Sequence, residues 1–397
     1  MDSIRAYPLG EPYRLELDAD YQDLLNRDGP VMVRLPYGGT AWLAVRYDHV
    51  REVLASPGIS RTLAAGNPEL PRQMPEPPPP SIMTLDGAEH TRLRRLVSKA
   101  FTARRIEGMR PEIQRLVDEL LDAMGESGSP ADLVSQVAVP LPLGVICALL
   151  GVPLEDQRYF RPFTEKVMGT TAFGSDEVQR AMAEFFAYLS GLVARRRAAP
   201  TGDLLGALVL ARDEEDRLSE QELVWLGVAL LIGGHETTLN QITNFVYVLL
   251  QHPDQLAELR AHPEIAPRAV EELLRFVPTG AGSAHAGLAT EDVVLGGVTV
   301  HRGEWVVVDL GAANHDPRVF HDPWRLDLRR EPNHHLALGH SAHFCLGAQL
   351  ARVELELVLT TLLCRFPALR LAVPAEELEW NTGGLIRGLK RLPVAWG

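Results

Sequence analysis

The stretch from Ser219 to Gln251 constrains the chain most. Apolar residues recur through it at spacings of three and four, the mark of one long helix, and Ser219 and Glu222 stand at capping-box spacing at its start. At roughly 1.5 Å per residue it extends about 50 Å and crosses a whole domain, so the remaining chain has to be built around it. The same periodicity runs through Arg92–Phe101, Arg110–Met124, Asp176–Arg197 and Ile265–Phe276. Val137–Leu150, interrupted by Pro140 and Pro142, reads as a buried core helix. Strand signals are short. Val31–Arg34 and Ala41–Val45 flank Tyr37-Gly38-Gly39 and read as a hairpin, and Val293–Val300 with Trp305–Asp309 reads as a second strand pair. Gly66 to Pro80 holds Pro68, Pro71, Pro75 and Pro77 to Pro80, which excludes helix and sheet interior; such a long loop is a lid or a disordered linker, and its apolar exit at Ile82 and Met83, running straight into a helix, favours a proline-rich lid loop over residues 66–84. The expectation is a mainly α protein with a smaller β-rich part, in residues 28–46, 290–310 and the C-terminal region, folded as one large domain over 1–397.

A formal net charge of −13 argues against a nucleic-acid partner, which needs a basic surface. No run reaches the roughly 18 to 20 apolar residues that span a bilayer, and Met1–Gly10 lacks the character of a signal peptide. Three cysteines, Cys147, Cys345 and Cys364, make no disulfide framework. A cytoplasmic protein without membrane attachment is expected.

Chemistry concentrates between His334 and Glu356. Cys345 precedes an amphipathic helix in which Leu346, Leu350, Val353 and Leu357 repeat at four, three and four. A helix N-terminus favours an anion, which suits a metal-binding thiolate. Gly339 and Gly347 bracket the cysteine and permit a tight turn and the close approach of a flat ligand. Two other readings exist: a buried structural cysteine, and a zinc site drawn from His334, His335, His340, His343 and Cys345, whose spacing is loose and lacks a second cysteine.

The run Leu338-Gly339-His340-Ser341-Ala342-His343-Phe344-Cys345-Leu346-Gly347 resembles the haem-binding loop of the cytochrome P-450 family, roughly F-G-x-G-x-H-x-C-x-G. Leu338 replaces the Phe and Ser341 the second Gly, changes that bear on the sulfur's surroundings and the iron's potential more than on ligation. Three further segments follow the family's order. Glu272 and Arg275 form Glu-x-x-Arg, alone an ordinary solvated i, i+3 pair, but by resemblance a core ion pair completed by Arg330. Gly233-Gly234-His235-Glu236-Thr237-Thr238 interrupts the long apolar helix. It reads either as a polar turn facing solvent or, by resemblance, as the oxygen-activating groove, with Glu236 the acid, Thr237 the alcohol and Gly234 beside the cofactor. His90 and Arg94 lie one helical turn apart. Unaided they are a basic surface; the resemblance makes them, with His343, the clamp on a haem propionate. The family's further propionate-binding Arg is replaced by Gly287, which leaves fewer contacts or shifts part of the task to His285; an arginine restored at 287 is expected to be tolerated.

The resemblance spans nearly the whole chain and is strongest to actinobacterial enzymes of secondary metabolism, macrolide hydroxylases among them. It implies a monooxygenase with Cys345 ligating the iron of haem b, O2 as co-substrate, and NAD(P)H electrons delivered by a ferredoxin and ferredoxin reductase, since no flavin or iron–sulfur segment is evident. Lys99, Arg92, Arg95 and Arg352 offer a basic patch for an acidic ferredoxin. Expected substrate-pocket residues are Ile82, Met83, Leu230, Gly233, Thr279, Leu385 and Ile386, within a small-molecule site in a monomeric protein. A peroxide-driven haem enzyme and a non-catalytic haem sensor are the alternatives. The first would need no ferredoxin and the second would not need Glu236 and Thr237.

Overall fold

The computed structural model describes residues 4–65, 67–153, 155–156, 160–169, 172–213, 218–280 and 286–397. Helices dominate the first two thirds: α1 (Asp20–Leu25), α2 (Tyr47–Ala55), α3 (Gly87–Ser98), α4 (Ala103–Ser127), α5 (Pro140–Leu150), α6 (Phe160–Val167), α7 (Ser175–Ala198) and α8 (Leu204–Asp213). There follow α9 (Glu220–Gln251), α10 (Pro253–Ala261), α11 (Ala266–Phe276), the short α12 (Leu310–Ala313) and α13 (Ala348–Arg365).

The long helix forms where its periodicity places it, and its cap is realised: Ser219 Oγ accepts from the Glu222 amide at 3.1 Å while the Glu222 carboxylate accepts from the Ser219 amide at 2.7 Å. From Leu223 to Leu249 it is buried almost all round, as expected of a helix with apolar residues on every face. Helices α5, α7 and α13 pack against it. Two boundaries differ from the sequence reading. Helix α3 begins at Gly87 rather than Arg92, and α4 begins at Ala103 and carries Pro111 within it. The polar first turns bury few side chains, His90 in α3 and Ile106 in α4, so periodicity misses them. Pro140 opens α5, where its missing N–H costs no hydrogen bond.

The strands are β1 (Arg5–Ala6), β2 (Val31–Arg34), β3 (Thr40–Ala44), β4 (Ile59–Ser60), β5 (Ala131–Asp132), β6 (Ala286–Ala289), β7 (Val293–Leu295), β8 (Val298–Val300), β9 (Trp305–Val308), β10 (Arg370–Leu371) and β11 (Pro393–Ala395). They order as β1-β2-β3-β9-β6-β4, β10-β11-β5 and β7-β8. The expected first hairpin is β2-β3. The expected second pair is not one: Gly296 and Gly297, at φ +53° and +81°, fold 293–300 back on itself as β7-β8, the two left-handed residues a tight hairpin needs. Strand β9 instead lies between β3 and β6, parallel to the first and antiparallel to the second. All four of its residues are buried, Trp305 and Val307 in one apolar cluster and Val306 and Val308 in another. Such a continuous apolar run belongs to a central strand covered on both faces.

Residues 67–84 contain no helix or strand of more than one residue, with Tyr37 and Arg72 bridged. Among the described residues, no helix is long and apolar enough to cross a membrane.

Candidate active site

The segment before α13 is shaped by left-handed backbone. Gly339 takes φ +76° and Ser341 φ +60°, so the position where the family pattern has its second glycine does adopt glycine's conformation, with serine in it. A short 3-10 turn, Ser341–His343, follows, and the Cys345 amide donates to the Leu338 carbonyl at 2.7 Å. Helix α13 begins only at Ala348, with Gly347 as its N-cap, so Cys345 and Leu346 precede the helix. Burial pushes the Cys345 thiol up; the Gly347 amide and the charges of Arg94 and Arg352 act in the opposite direction without overcoming it. The helix terminus alone therefore leaves the sulfur favoured as the thiol, and a cation bound to it would favour the thiolate. Cys147, in the core of α5, is pushed up to about 12 by burial, and Cys364 is exposed.

Helix α3 runs beside this loop. The rings of His90 and His343 lie 4.1 Å apart, and Arg94 donates to the Phe344 carbonyl at 2.6 Å. His90 is 2% exposed, yet its Nε2 has no hydrogen-bond partner. Burial first, then the neighbouring His343, Arg94 and Arg61, pull its pKa down to about 4. The nearby carboxylate, Asp86, has one oxygen filled: Oδ2 accepts from Ser60 Oγ and from the Arg61 and Thr62 amides at 2.7–2.8 Å, while Oδ1 faces His343 Nε2 at 3.8 Å. Despite burial, these bonds hold its carboxyl well below the usual range.

On α9 the helix stays continuous through Gly233–Thr238, with no local opening. Thr237 Oγ1 donates to the Gly233 carbonyl at 2.8 Å. A Cβ on Gly233 would meet nothing within 4 Å, whereas one on Gly234 would lie 2.8 Å from Ile146 of α5. The bare glycine that leaves open space is thus Gly233; Gly234 lacks a side chain because α5 packs there. Glu236, buried, accepts from Thr164 Oγ1 of α6 and from Asn240 Nδ2, each at 3.2 Å. Sequence reasoning missed both partners. Asn240 was findable one turn along the same helix, but nothing in the sequence links Thr164 to it.

The expected core ion pair is assembled. Glu272 and Arg275 are 0% exposed, with Nε–Oε2 at 2.7 Å, and Arg330 Nε lies 3.0 Å from both Glu272 oxygens. A second cluster went unforeseen: Glu271 accepts from Arg352 at 2.6 and 2.9 Å and lies 3.2 Å from His335 Nε2, bonds that outweigh burial and pull its pKa down to about 2. This corrects the basic patch. Arg352 is neutralised by Glu271 and Arg92 by Glu222, which leaves Arg95 and Lys99 as its exposed cations. The zinc reading fails too, since among the described residues no three His, Cys, Asp or Glu side chains are grouped to hold a metal ion.

Of the expected pocket residues, Leu385 donates its amide to the Met168 carbonyl just past α6 at 2.8 Å, Ile386 is bridged to Gly280, and Arg387 donates its amide to Thr279 at 2.9 Å. The turn at 383–387 is thereby pinned between α6 and the end of α11. Ile82 and Leu230 are buried and Met83 is 51% exposed. His285 lies outside the described residues. An arginine at Gly287 is not the tolerated change expected from sequence, because its Cβ would stand 2.5 Å from Ile59 Cγ2 and 3.2 Å from the Ser60 carbonyl.

Residues 174–386 match the model of the cytochrome P-450 family. The chain is 50% identical to nocardicin C N-oxygenase of Nocardia uniformis subsp. tsuyamanensis over 99% of this chain and 98% of that one. The chain belongs to the cytochrome P-450 family. It is also 46% identical to the mycinamicin IV hydroxylase/epoxidase of Micromonospora griseorubida, over 99% and 98% of the two chains. The crystal structure of the LnmA cytochrome P-450 hydroxylase, from the leinamycin biosynthetic pathway of Streptomyces atroolivaceus, superposes with a TM-score of 0.91 at 53% identity, covering 99% of this chain and 100% of that one. As a cytochrome P-450 the protein is a haem-dependent monooxygenase using dioxygen. The residues present fit the haem. Cys345 offers a soft sulfur donor that could ligate the iron, Gly233 leaves a bare helix face, and the orphaned His90 Nε2 near Arg61 and Arg94 would suit a carboxylate.

Proposed function

We propose that this protein inserts one oxygen atom of dioxygen into a small secondary metabolite, with Cys345 as the proximal ligand of haem b. The observation that carries the reading is the buried, unpartnered His90 Nε2, set near the guanidiniums of Arg61 and Arg94 and against the His343 ring of the cysteine loop. Such a group is costly to bury unless an anion completes it, and the haem propionates are anions of the required kind. One relative is named for N-oxygenation of nocardicin C and another for hydroxylation and epoxidation of mycinamicin IV, which supports a secondary-metabolite substrate.

His90, Arg94 and His343 hold the propionates; Gly339 and Gly347 leave room for the flat ring around Cys345. When bound, the haem supplies the oxygen chemistry, and the thiolate's electron density favours O–O cleavage. The chain supplies placement and protons. Glu236, oriented by Thr164 and Asn240, passes protons inward. Thr237, anchored on the Gly233 carbonyl, holds the last proton-bearing water against the open face of α9. Ile82, Met83, Leu230, Gly233, Thr279, Leu385 and Ile386 shape the substrate's space, and residues 67–84 cover it as a lid. Glu272, Arg275 and Arg330 fix the scaffold behind the cysteine loop. Electrons originate in NAD(P)H and arrive through a ferredoxin and its reductase, for which Arg95 and Lys99 give a small cationic landing. The protein works as a monomer in the cytosol, where three free cysteines stay reduced.

The test is spectroscopic. Reduced protein under carbon monoxide shows the red-shifted Soret band of thiolate ligation; Cys345→Ala loses it and Cys147→Ala and Cys364→Ala keep it. A histidine-type spectrum in fresh wild-type protein overturns the assignment. A screen of metabolites for a low-to-high spin shift of the ferric haem then identifies the substrate class.

A further inference from the structure

We propose that Arg61 holds the haem as well, its guanidinium taking a propionate in place of the cation that Gly287 cannot supply. The inference rests on the haem-binding reading above and on the pairing of β4 with β6. Ile59 is registered with Ala289 and Ser60 with Leu288. Continuing that antiparallel register by one step sets Arg61 opposite Gly287. A side chain on Gly287 would run into Ile59 and the Ser60 carbonyl, so β6 is closed to a cation at this point and the residue leaving β4 is the nearest that can carry one.

The backbone of Arg61 is fixed where this requires. Its amide donates to Asp86 Oδ2 at 2.7 Å, and the other oxygen of that carboxylate faces His343. One carboxylate thus ties Arg61 to the loop that carries Cys345. The Arg61 guanidinium is left with little to bind: its one hydrogen bond among the described residues is a 3.5 Å contact from Nη1 to the Met83 carbonyl. A guanidinium has five N–H donors in a planar fork matched to a carboxylate. The charge of Arg61 bears on both His90 and His343, as does that of Arg94, so two guanidiniums and two imidazoles gather near Asp86, whose Oδ2 is already filled by Ser60 and two amides. Burial pulls Arg61 down to about 10 against the opposing charge of Asp86, as expected of a guanidinium taken from water without a full set of partners. Haem carries two carboxylates, enough to engage Arg61 in addition to the pair on α3.

The experiment uses the purified holoprotein, with Arg61→Gln, Arg61→Lys and, as a control on an exposed cation of α3, Arg95→Gln. Haem release to excess apomyoglobin is timed, and rebinding of haem and of haem dimethyl ester, whose propionates are uncharged, is measured on the apoproteins. Arg61→Gln should release haem at least about tenfold faster than wild type, the scale of a lost charge-assisted bond, while keeping the thiolate carbonyl band. Arg61→Lys should fall between them, and Arg95→Gln should match wild type. With the dimethyl ester, wild type and Arg61→Gln should bind alike to within about twofold. Equal weakening of haem and ester, or release from both Arg61 variants at the wild-type rate, overturns the proposal. Wild-type protein without haem or the thiolate band would instead overturn the haem-binding reading itself.

Discussion

Glu272→Gln tests the energetics behind the cysteine loop. Glu272 Oε1 accepts from Arg275, Arg330 and the Asp327 amide, and Oε2 from Arg275, Arg330 and Asn333, all between 2.7 and 3.2 Å. Glu272 and Arg275 are fully buried and Arg330 nearly so. Glutamine would leave two guanidinium charges without their counter-charge and turn an N–H group toward existing donors. Breaking one side of a buried pair costs about 3–5 kcal/mol. At about 2.1 cal/mol/K per residue, 397 residues give an unfolding entropy near 0.8 kcal/mol/K, so the midpoint should fall by about 4–6 °C. The exposed Arg197–Glu220 pair, 2.8 Å long, is the internal control; Glu220→Gln should cost less than about 1 kcal/mol. Thermal and urea unfolding, followed by far-ultraviolet circular dichroism, measure the midpoint and the free energy for both variants. If Glu272→Gln loses no more than Glu220→Gln, burial of this cluster is not what makes it stabilising.

Thr237→Ala should keep haem and the substrate-induced spin shift but lower product and raise hydrogen peroxide per NAD(P)H oxidised in a reconstituted ferredoxin system; full coupling with the natural substrate would exclude Thr237 from the proton path. Ser341→Gly relieves a left-handed serine at some loss of unfolded-state restriction, so the urea midpoint should rise by the equivalent of about 0.5–1 kcal/mol with the carbonyl spectrum unchanged. Gly287→Arg should destabilise by about 1–3 kcal/mol through overpacking against Ile59, seen in the same unfolding assay. In the apoprotein, the folded pKa of His90 is depressed to about 4 from an unfolded value near 6.5. Its contribution is intact above pH 6.5 and is lost as pH falls toward 4. Wild-type apoprotein should therefore lose more stability between pH 7 and 5 than His90→Gln does.

What the sequence made legible was local. The span of α9 follows from its periodicity and capping box, and Cys345, Glu272, Arg275, His90 and Arg94 could be picked out because their partners or motif-mates sit a few residues away. What stayed hidden was non-local. Strand β9 reads as the partner of β7-β8 because they adjoin in sequence, yet it pairs with β3, some 260 residues earlier, and no local pattern encodes that choice. Arg352 reads as a free surface cation until α11 brings Glu271 to it. The Thr164–Glu236 bond joins α6 to α9 across 72 residues, and Arg61, in an unremarked stretch after β4, gains meaning only from the strand that lies beside it.

The two charged clusters flanking the cysteine loop are built from the same kinds of residue and differ in closure. Around Glu272, both oxygens are filled, and the guanidiniums of Arg275 and Arg330 reach further carbonyls, those of Asn314, Pro323, His321 and Asp322 among them. Every charged group there is paired, although Asn333 Oδ1 has no partner, so the cluster carries no unmet charge and serves to stiffen the fold. Around Asp86, cations outnumber the carboxylate, His90 Nε2 faces no acceptor, and Arg61 and His90 are depressed by burial. A folded chain tolerates such an excess where a ligand regularly completes it, because the binding free energy offsets the cost of holding the groups apart from water. Closure, rather than residue type or burial, separates the cluster that holds the protein together from the one that holds its cofactor.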